Sequence, residues 1–208
     1  MNRQRSLINA SMLAVIALTL AACDKPAPTS ESSAAAAPAA SNASSTTASP
    51  QSSPRDAYEA ASKGAGFTTG PVMAANTVYV FFDPTCPHCA QLWTNAKSLS
   101  TKLKIVWMPI GLLRSSSAPQ GATILASPDP AAAMNENETS VLAHGGGITA
   151  NQSVGGDVIK KVQANTDIFR QLGAESVPLI VYRNSKNGQF GKHDGAVTAE
   201  QLAEMVGL

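Results

Sequence analysis

The chain has 208 residues, with 15 basic and 14 acidic side chains. A balance this close to zero, with no Lys/Arg cluster, offers nucleic acid no electrostatic footprint, and no nucleic-acid partner is expected. Apolar residues make up 44% of the chain, but residues 24–54 hold scarcely a large one, so a core has to be built from residues 55–208.

The N-terminus places Arg3 and Arg5 before an apolar stretch, Leu7 to Leu20, and small residues precede Cys23. That is the layout of an export signal, and the stretch is short for a helix crossing about 30 Å of hydrocarbon. Leu20-Ala21-Ala22-Cys23 resembles the lipobox of bacterial lipoproteins. The resemblance implies a signal peptide over residues 1–22, cleavage before Cys23, and lipidation of that residue. Several acyl chains would hold the protein on a membrane surface without spanning it. Asp24 resembles an inner-membrane retention signal, so the inner membrane is preferred over the outer.

Residues 24–54 are Ala, Ser, Thr and Pro, too poor in apolar surface to offset the entropy of ordering. A flexible tether is expected there, with a root-mean-square span of roughly 30 Å. Residues 55–208 suit one domain.

Within that domain "RDAYEAASKGAG" predicts a short helix ended by Gly64 and Gly66, and "TVYVFF", Thr77 to Phe82, a buried strand stopped by Pro84. From Cys86, "CPHCAQLWTNAKSLSTKL" predicts a helix, and "KIVWMPI", Lys104 to Ile110, a second strand, completing a βαβ unit. Residues 115–172 predict a helical insertion in three pieces. They are followed by a strand at "SVPLIVYR", a hairpin or turn at "NSKNGQFGKHDG" leading through another short strand, and a final helix capped by Thr198. The fold class is α/β. Trp93 and Trp107 are expected in the core and His144 in a solvated loop.

Cys86 and Cys89 stand three apart at the strand-to-helix junction. At a helix start their sulfurs lie one turn apart on one face, Cys86 toward the exposed end and Cys89 inside. Unpaired amides and the positive end of the dipole favour a thiolate there, with thiol pKa values falling from about 8.5 to roughly 3.5–7. Pro87 is tolerated at the first helical position, and His88 adds positive charge or a donor. The reading is a labile disulfide with Cys86 reactive and Cys89 resolving. Asp83 is either a tuner of proton transfer to Cys89 or a turn residue before Pro84. An inert staple across so short a loop would gain little. One CxxC lacks the second pair of a closed zinc site, and no metal site is assigned. Two thiolates with sulfur from Met73, Met108 or Met134 would suit Cu(I), which leaves a copper-binding lipoprotein as the alternative from another class. Ala90 after Cys89 excludes haem attachment.

The run "VYVFFDPTCPHCAQLW", with "ATILASPDPAAA" and "LGAESVPLIVY", resembles the periplasmic thioredoxin-fold proteins of the DsbC/DsbG family over roughly Thr77 to Leu208. The resemblance implies a thioredoxin-like fold and a catalytic pair at Cys86 and Cys89. It also implies a cis-proline at Pro178, which turns the Val177 backbone toward Cys86 to pair with a substrate strand. It implies disulfide isomerase or reductase activity in the periplasm on exported proteins carrying thiols or disulfides. A membrane redox partner is also expected, and no cofactor beyond the Cys86–Cys89 disulfide. Family members usually carry an N-terminal dimerisation domain; residues 24–54 read as tether instead, so a monomer is expected. CPHC with valine before proline resembles the dithiol oxidase DsbA, which is the alternative activity.

Overall fold

The computed structural model describes residues 52–74 and 76–208. The predicted signal peptide, Cys23 and nearly all of the tether lie outside the described residues. The elements in chain order are α1 (Pro54–Ala61), β1 (Phe67–Thr69), β2 (Thr77–Phe82), α2 (Pro87–Ala96) with a 3₁₀ turn over Lys97–Leu99, and β3 (Lys104–Pro109). Then come α3 (Ser117–Ala126), α4 (Pro130–Leu142), α5 (Gly156–Gln171), β4 (Leu179–Arg183), β5 (Phe190–Asp194) and α6 (Ala199–Val206). The strands form one sheet in the order β1-β3-β2-β4-β5. β2 and β3 are parallel, and the other three pairings are antiparallel.

Alternation along the strands sorts the core into two layers, because successive side chains leave a strand on opposite faces. On one face Phe82 meets Trp107 edge-on at 6.2 Å, and Trp107 meets Trp93 of α2 at 4.9 Å. On the other face Tyr79 packs edge-on against Tyr58 of α1, and Phe81 meets Phe169 of α5 with tilted rings. Both tryptophans are buried, as their sequence context led us to expect, and His144 is exposed at the end of α4. The helices begin where capping chemistry permits. Ser53 caps α1, Asp129 caps α4, and Thr198 with Gln201 forms a reciprocal capping box on α6.

The structure departs from the sequence reading in four places. α1 stops at Ala61 rather than running to the glycines. β1 was not predicted; it is three residues long and pairs antiparallel with β3 from Phe67↔Trp107 to Thr69↔Ile105. Gly66 precedes it because a Cβ there would come within 2.6 Å of the Trp107 carbonyl. α2 gives way to the 3₁₀ turn before Ser100, and β4 begins after Pro178 rather than at Ser176. Among the described residues no helix is long and apolar enough to cross a membrane.

Candidate active site

β2 ends at Phe82, and the loop Asp83-Pro84-Thr85 turns the chain into α2, whose N-cap residue is Cys86. Its backbone is extended (φ −89°, ψ 118°) and Pro87 takes the first helical position. Ser or Asp at an N-cap would place an oxygen against the amides of the first turn. Here that place belongs to a sulfur, and the same amides stabilise its anion.

Cys86 is held down to about 6, below the ordinary thiol range. The largest cause is the Cys89 thiol donating to it; burial opposes this, and the Cys89 and His88 amides and the His88 side chain assist. Cys89 moves the opposite way, well above the usual thiol range, first through burial and then through the hydrogen bond and charge it shares with Cys86. The two thiols are free. One is an anion near neutrality and the other a buried acid that keeps its proton.

The sequence reading set Cys86 toward the exposed end of the helix. The order is right, but the degree is corrected: Cys86 is 3% exposed and Cys89 0%. Pro84, Thr85 and Val177 are buried around the mouth of the helix, while Pro87 and His88 are exposed beside it. The Val177–Pro178 peptide bond is cis, and Cys86, when protonated, donates to the Val177 carbonyl at 3.7 Å. Cys86, Cys89, Pro87, His88, Val177 and Pro178 are therefore brought to one place.

Asp83 is the turn residue before Pro84 that the sequence suggested, its carbonyl accepting from the Cys86 amide at 3.0 Å. It is fully buried, and its Oδ1 accepts from the Thr85 amide (2.9 Å), the Thr85 hydroxyl (2.7 Å) and the Ser117 hydroxyl (2.7 Å). Its Oδ2 accepts from the amides of Leu112 (2.9 Å) and Leu113 (2.8 Å). Five donors fill the roughly four acceptor directions of a carboxylate. The residue ties the loop before Cys86 to the chain after β3 and to the start of α3.

The insertion adds a second tie. The Asn137 side chain on α4 donates to the Pro84 carbonyl (2.8 Å) and accepts from the Ile148 amide (3.0 Å). Gly147 lies against this pair at φ +95°, where a Cβ would sit 2.6 Å from the Asn137 amide oxygen. Beside Asn137, Glu138 is 1% exposed, and neither of its oxygens has a hydrogen-bond partner. Burial first pushes its carboxyl up to about 9. The Asn137 side chain offsets part of this, and the charges of Cys86 and Asp83 raise it further. The sequence reading missed Asn137, Glu138 and Ser117. A signal for the first two existed: Met134, Asn137, Glu138 and Val141 share one helical stripe, so two polar residues sit on a face that apolar ones mark as buried.

Two of the three methionines considered for copper, Met73 and Met108, are placed elsewhere. Met73 is 93% exposed, and Met108 is packed beneath Gly64 and Gly66.

The thioredoxin-like domain family matches residues 73–207. The chain belongs to that family. This thioredoxin-like chain is 28% identical over 155 residues to the thiol:disulfide interchange protein DsbG of Pseudomonas aeruginosa, covering 74% of this chain and 59% of that protein. It is 31% identical over 137 residues to DsbG of Escherichia coli, covering 64% and 54%. The chain thus spans little more than half the length of these curated relatives. Its resemblance to the DsbC/DsbG proteins is upheld. Among solved structures, the catalytic domain of Proteus mirabilis ScsC superposes with a TM-score of 0.54 at 21% identity, covering 73% of this chain and 92% of that one. The thiol-disulfide exchange protein α-DsbA2 of Wolbachia pipientis gives 0.54 at 16% identity, covering 74% and 95%. At these identities the likeness is one of fold.

Proposed function

We propose that this thioredoxin-like protein is a thiol–disulfide oxidoreductase of the bacterial periplasm. In this reading the Cys86 thiolate attacks a disulfide of an exported protein, or the Cys86–Cys89 disulfide is opened by a substrate thiol. Both routes pass through a mixed disulfide on Cys86 that Cys89 resolves. The observation that carries the reading is the Cys86 sulfur at the mouth of α2, where Cys89 and the first-turn amides favour its anion near neutrality and the Val177–Pro178 backbone lies beside it. Val177 and Pro178 offer backbone for an extended substrate to pair with. Because 3% of Cys86 is exposed, the substrate reaches it by displacing the contact with Val177. The similarity to DsbG supports isomerase or reductase activity. One observation favours dithiol oxidation instead: a stabilised Cys86 thiolate stabilises the reduced protein, which makes the disulfide the stronger oxidant.

Replacing Cys89 by Ala is expected to accumulate covalent complexes with substrate proteins. Replacing Cys86 by Ala should give none, and equal trapping by both variants would contradict these roles. Lipidation of Cys23 would tether the domain to the membrane, close to a membrane redox partner. Cys23→Ser is expected to move the protein from the membrane fraction to the soluble periplasmic fraction. Unchanged membrane fractionation would remove the anchor from the proposal.

A further inference from the structure

The end of the sheet away from Cys86 carries an exposed apolar loop. β2 and β3 are parallel and start side by side at Thr77 and Lys104. β4 runs against β2, so Arg183 closes β4 at that same end. Cys86 follows the opposite end of β2, roughly 20 Å away at about 3.3 Å per residue. Because β3 lies between β1 and β2 in the sheet, the connection from β1 to β2 has to cross the start of β3. Gly70 accordingly packs against the Leu103 carbonyl, and the Asn76 side chain donates to the Val206 carbonyl at 3.0 Å.

Between these two ties the chain reads GPVMAA over residues 70–75, without one charged or hydrogen-bonding side chain. Val72 is 75% exposed and Met73 93%, the two most exposed large apolar residues among those described. Cations stand at the same end. Lys102 and Arg183 are exposed and Lys104 partly so. The ion pairs among the described residues are Arg55–Glu59 and Arg170–Asp167, which leaves these three cations without a carboxylate partner there. The chain also enters the described fold near this end: Arg55 lies over the Phe190 ring at 5.5 Å, and Arg183 over the same ring at 5.9 Å.

We propose that this end of the domain docks on a bilayer containing anionic phospholipid. Val72 and Met73 enter the headgroup layer, and Lys102, Lys104 and Arg183 meet lipid phosphates. An exposed apolar tip beside unpaired cations matches a surface that is apolar within and anionic at its face. A second copy docked through the same face would instead bring like charges together. Each Lys or Arg near an anionic leaflet strengthens binding about fivefold, so three supply on the order of a hundredfold. The proposal takes from the reading above only the Cys23 anchor, and it goes further. A tether spanning roughly 30 Å leaves the domain free to turn, whereas docking fixes it with Cys86 and Val177 directed away from lipid, toward exported substrates.

The test places a reporter in the loop. The full chain carrying Met73→Trp is mixed with vesicles of phosphatidylethanolamine and phosphatidylglycerol, with and without bromine on the acyl chains. Trp93 and Trp107 are buried, and the parent chain supplies their background. The introduced indole is expected to shift its emission to the blue and to be quenched severalfold by the brominated lipid. Adding Lys102→Glu, Lys104→Glu and Arg183→Glu together should weaken docking by on the order of a hundredfold or more and remove most of the quenching. Val72→Asp, which leaves the cations in place, should do the same by setting a charge in the loop. High salt, which screens exposed charges, should reduce the quenching as well. Emission that neither vesicle changes would overturn the proposal, as would quenching that the charge reversals leave intact. A blue shift without quenching that grows with protein concentration would overturn it in favour of a contact between two copies. Failure of the anchor reads differently: an unlipidated chain would show the same quenching, only at higher lipid concentration.

Discussion

At the scale of single residues, the site is held by polar atoms that carry no redox chemistry. Asp83, itself buried, joins the loop before Cys86 to Leu112, Leu113 and Ser117 through three short hydrogen bonds and accepts two more from Thr85 within the loop. Hydrogen bonds to a charged group contribute about 1.5–3 kcal/mol each, and breaking a buried ionic network costs about 3–5 kcal/mol. Asp83→Asn removes the charge and turns one acceptor into a donor, which then faces amides or hydroxyls that also donate. A loss of about 3 kcal/mol or more is expected, read from urea unfolding of the reduced protein. A loss below about 1 kcal/mol would show that Asp83 is not the clamp its geometry describes. The same substitution is expected to raise the Cys86 pKa, because the loop that presents the sulfur to the helix amides would loosen. Thiolate absorbance near 240 nm against pH measures that shift.

At the scale of elements, legibility in the sequence depends on how local each cause is. β2, β3 and β4 are runs of β-branched and aromatic residues long enough to declare themselves, and α6 carries its own capping box. The CPHC turn was legible for the same reason, since the N-cap position, Pro87 and the sulfur pair are all set within four residues. β1 was not. Three residues, Phe-Thr-Thr, have no periodicity to read, and the strand exists because Gly66 lets the backbone lie close along β3. The end of α1 was misread because Gly64 and Gly66 serve that close approach rather than a helix stop. Asp83 and Glu138 were the hardest. Their surroundings come from α3, α4 and the loop after β3, which only the folded insertion assembles. The buried stripe of α4 held the one sequence clue, and it was masked by the polar run "NENETS" around it.

At the scale of the whole molecule, folding stability and redox behaviour are two sides of one cycle. Whatever stabilises the folded reduced state over the folded oxidised state makes the disulfide more oxidising. Cys86 supplies such a difference, and its sign can be worked out. Its folded pKa of about 6 lies below the value of about 8.5 for an unfolded thiol. Between those values the unfolded reduced chain binds the extra proton, so the stability of the reduced form rises with pH across that window and falls as pH drops through 6. Glu138 has the opposite sign: its raised pKa makes the fold lose stability from the ordinary carboxyl range up to about 9. Burial, the main cause, is common to both redox forms and largely cancels in their difference. The Tm of the reduced protein minus that of the oxidised protein is therefore expected to grow from about pH 5.5 to 7.5, as thermal unfolding of both forms would record, and to level off toward about 8.5, where Cys89, raised in the fold, keeps a proton that the unfolded chain releases. A gap that stays flat would mean that Cys86 titrates as an ordinary thiol. The preference for dithiol oxidation would then lose its physical basis, and the isomerase or reductase reading suggested by the DsbG relatives would stand alone.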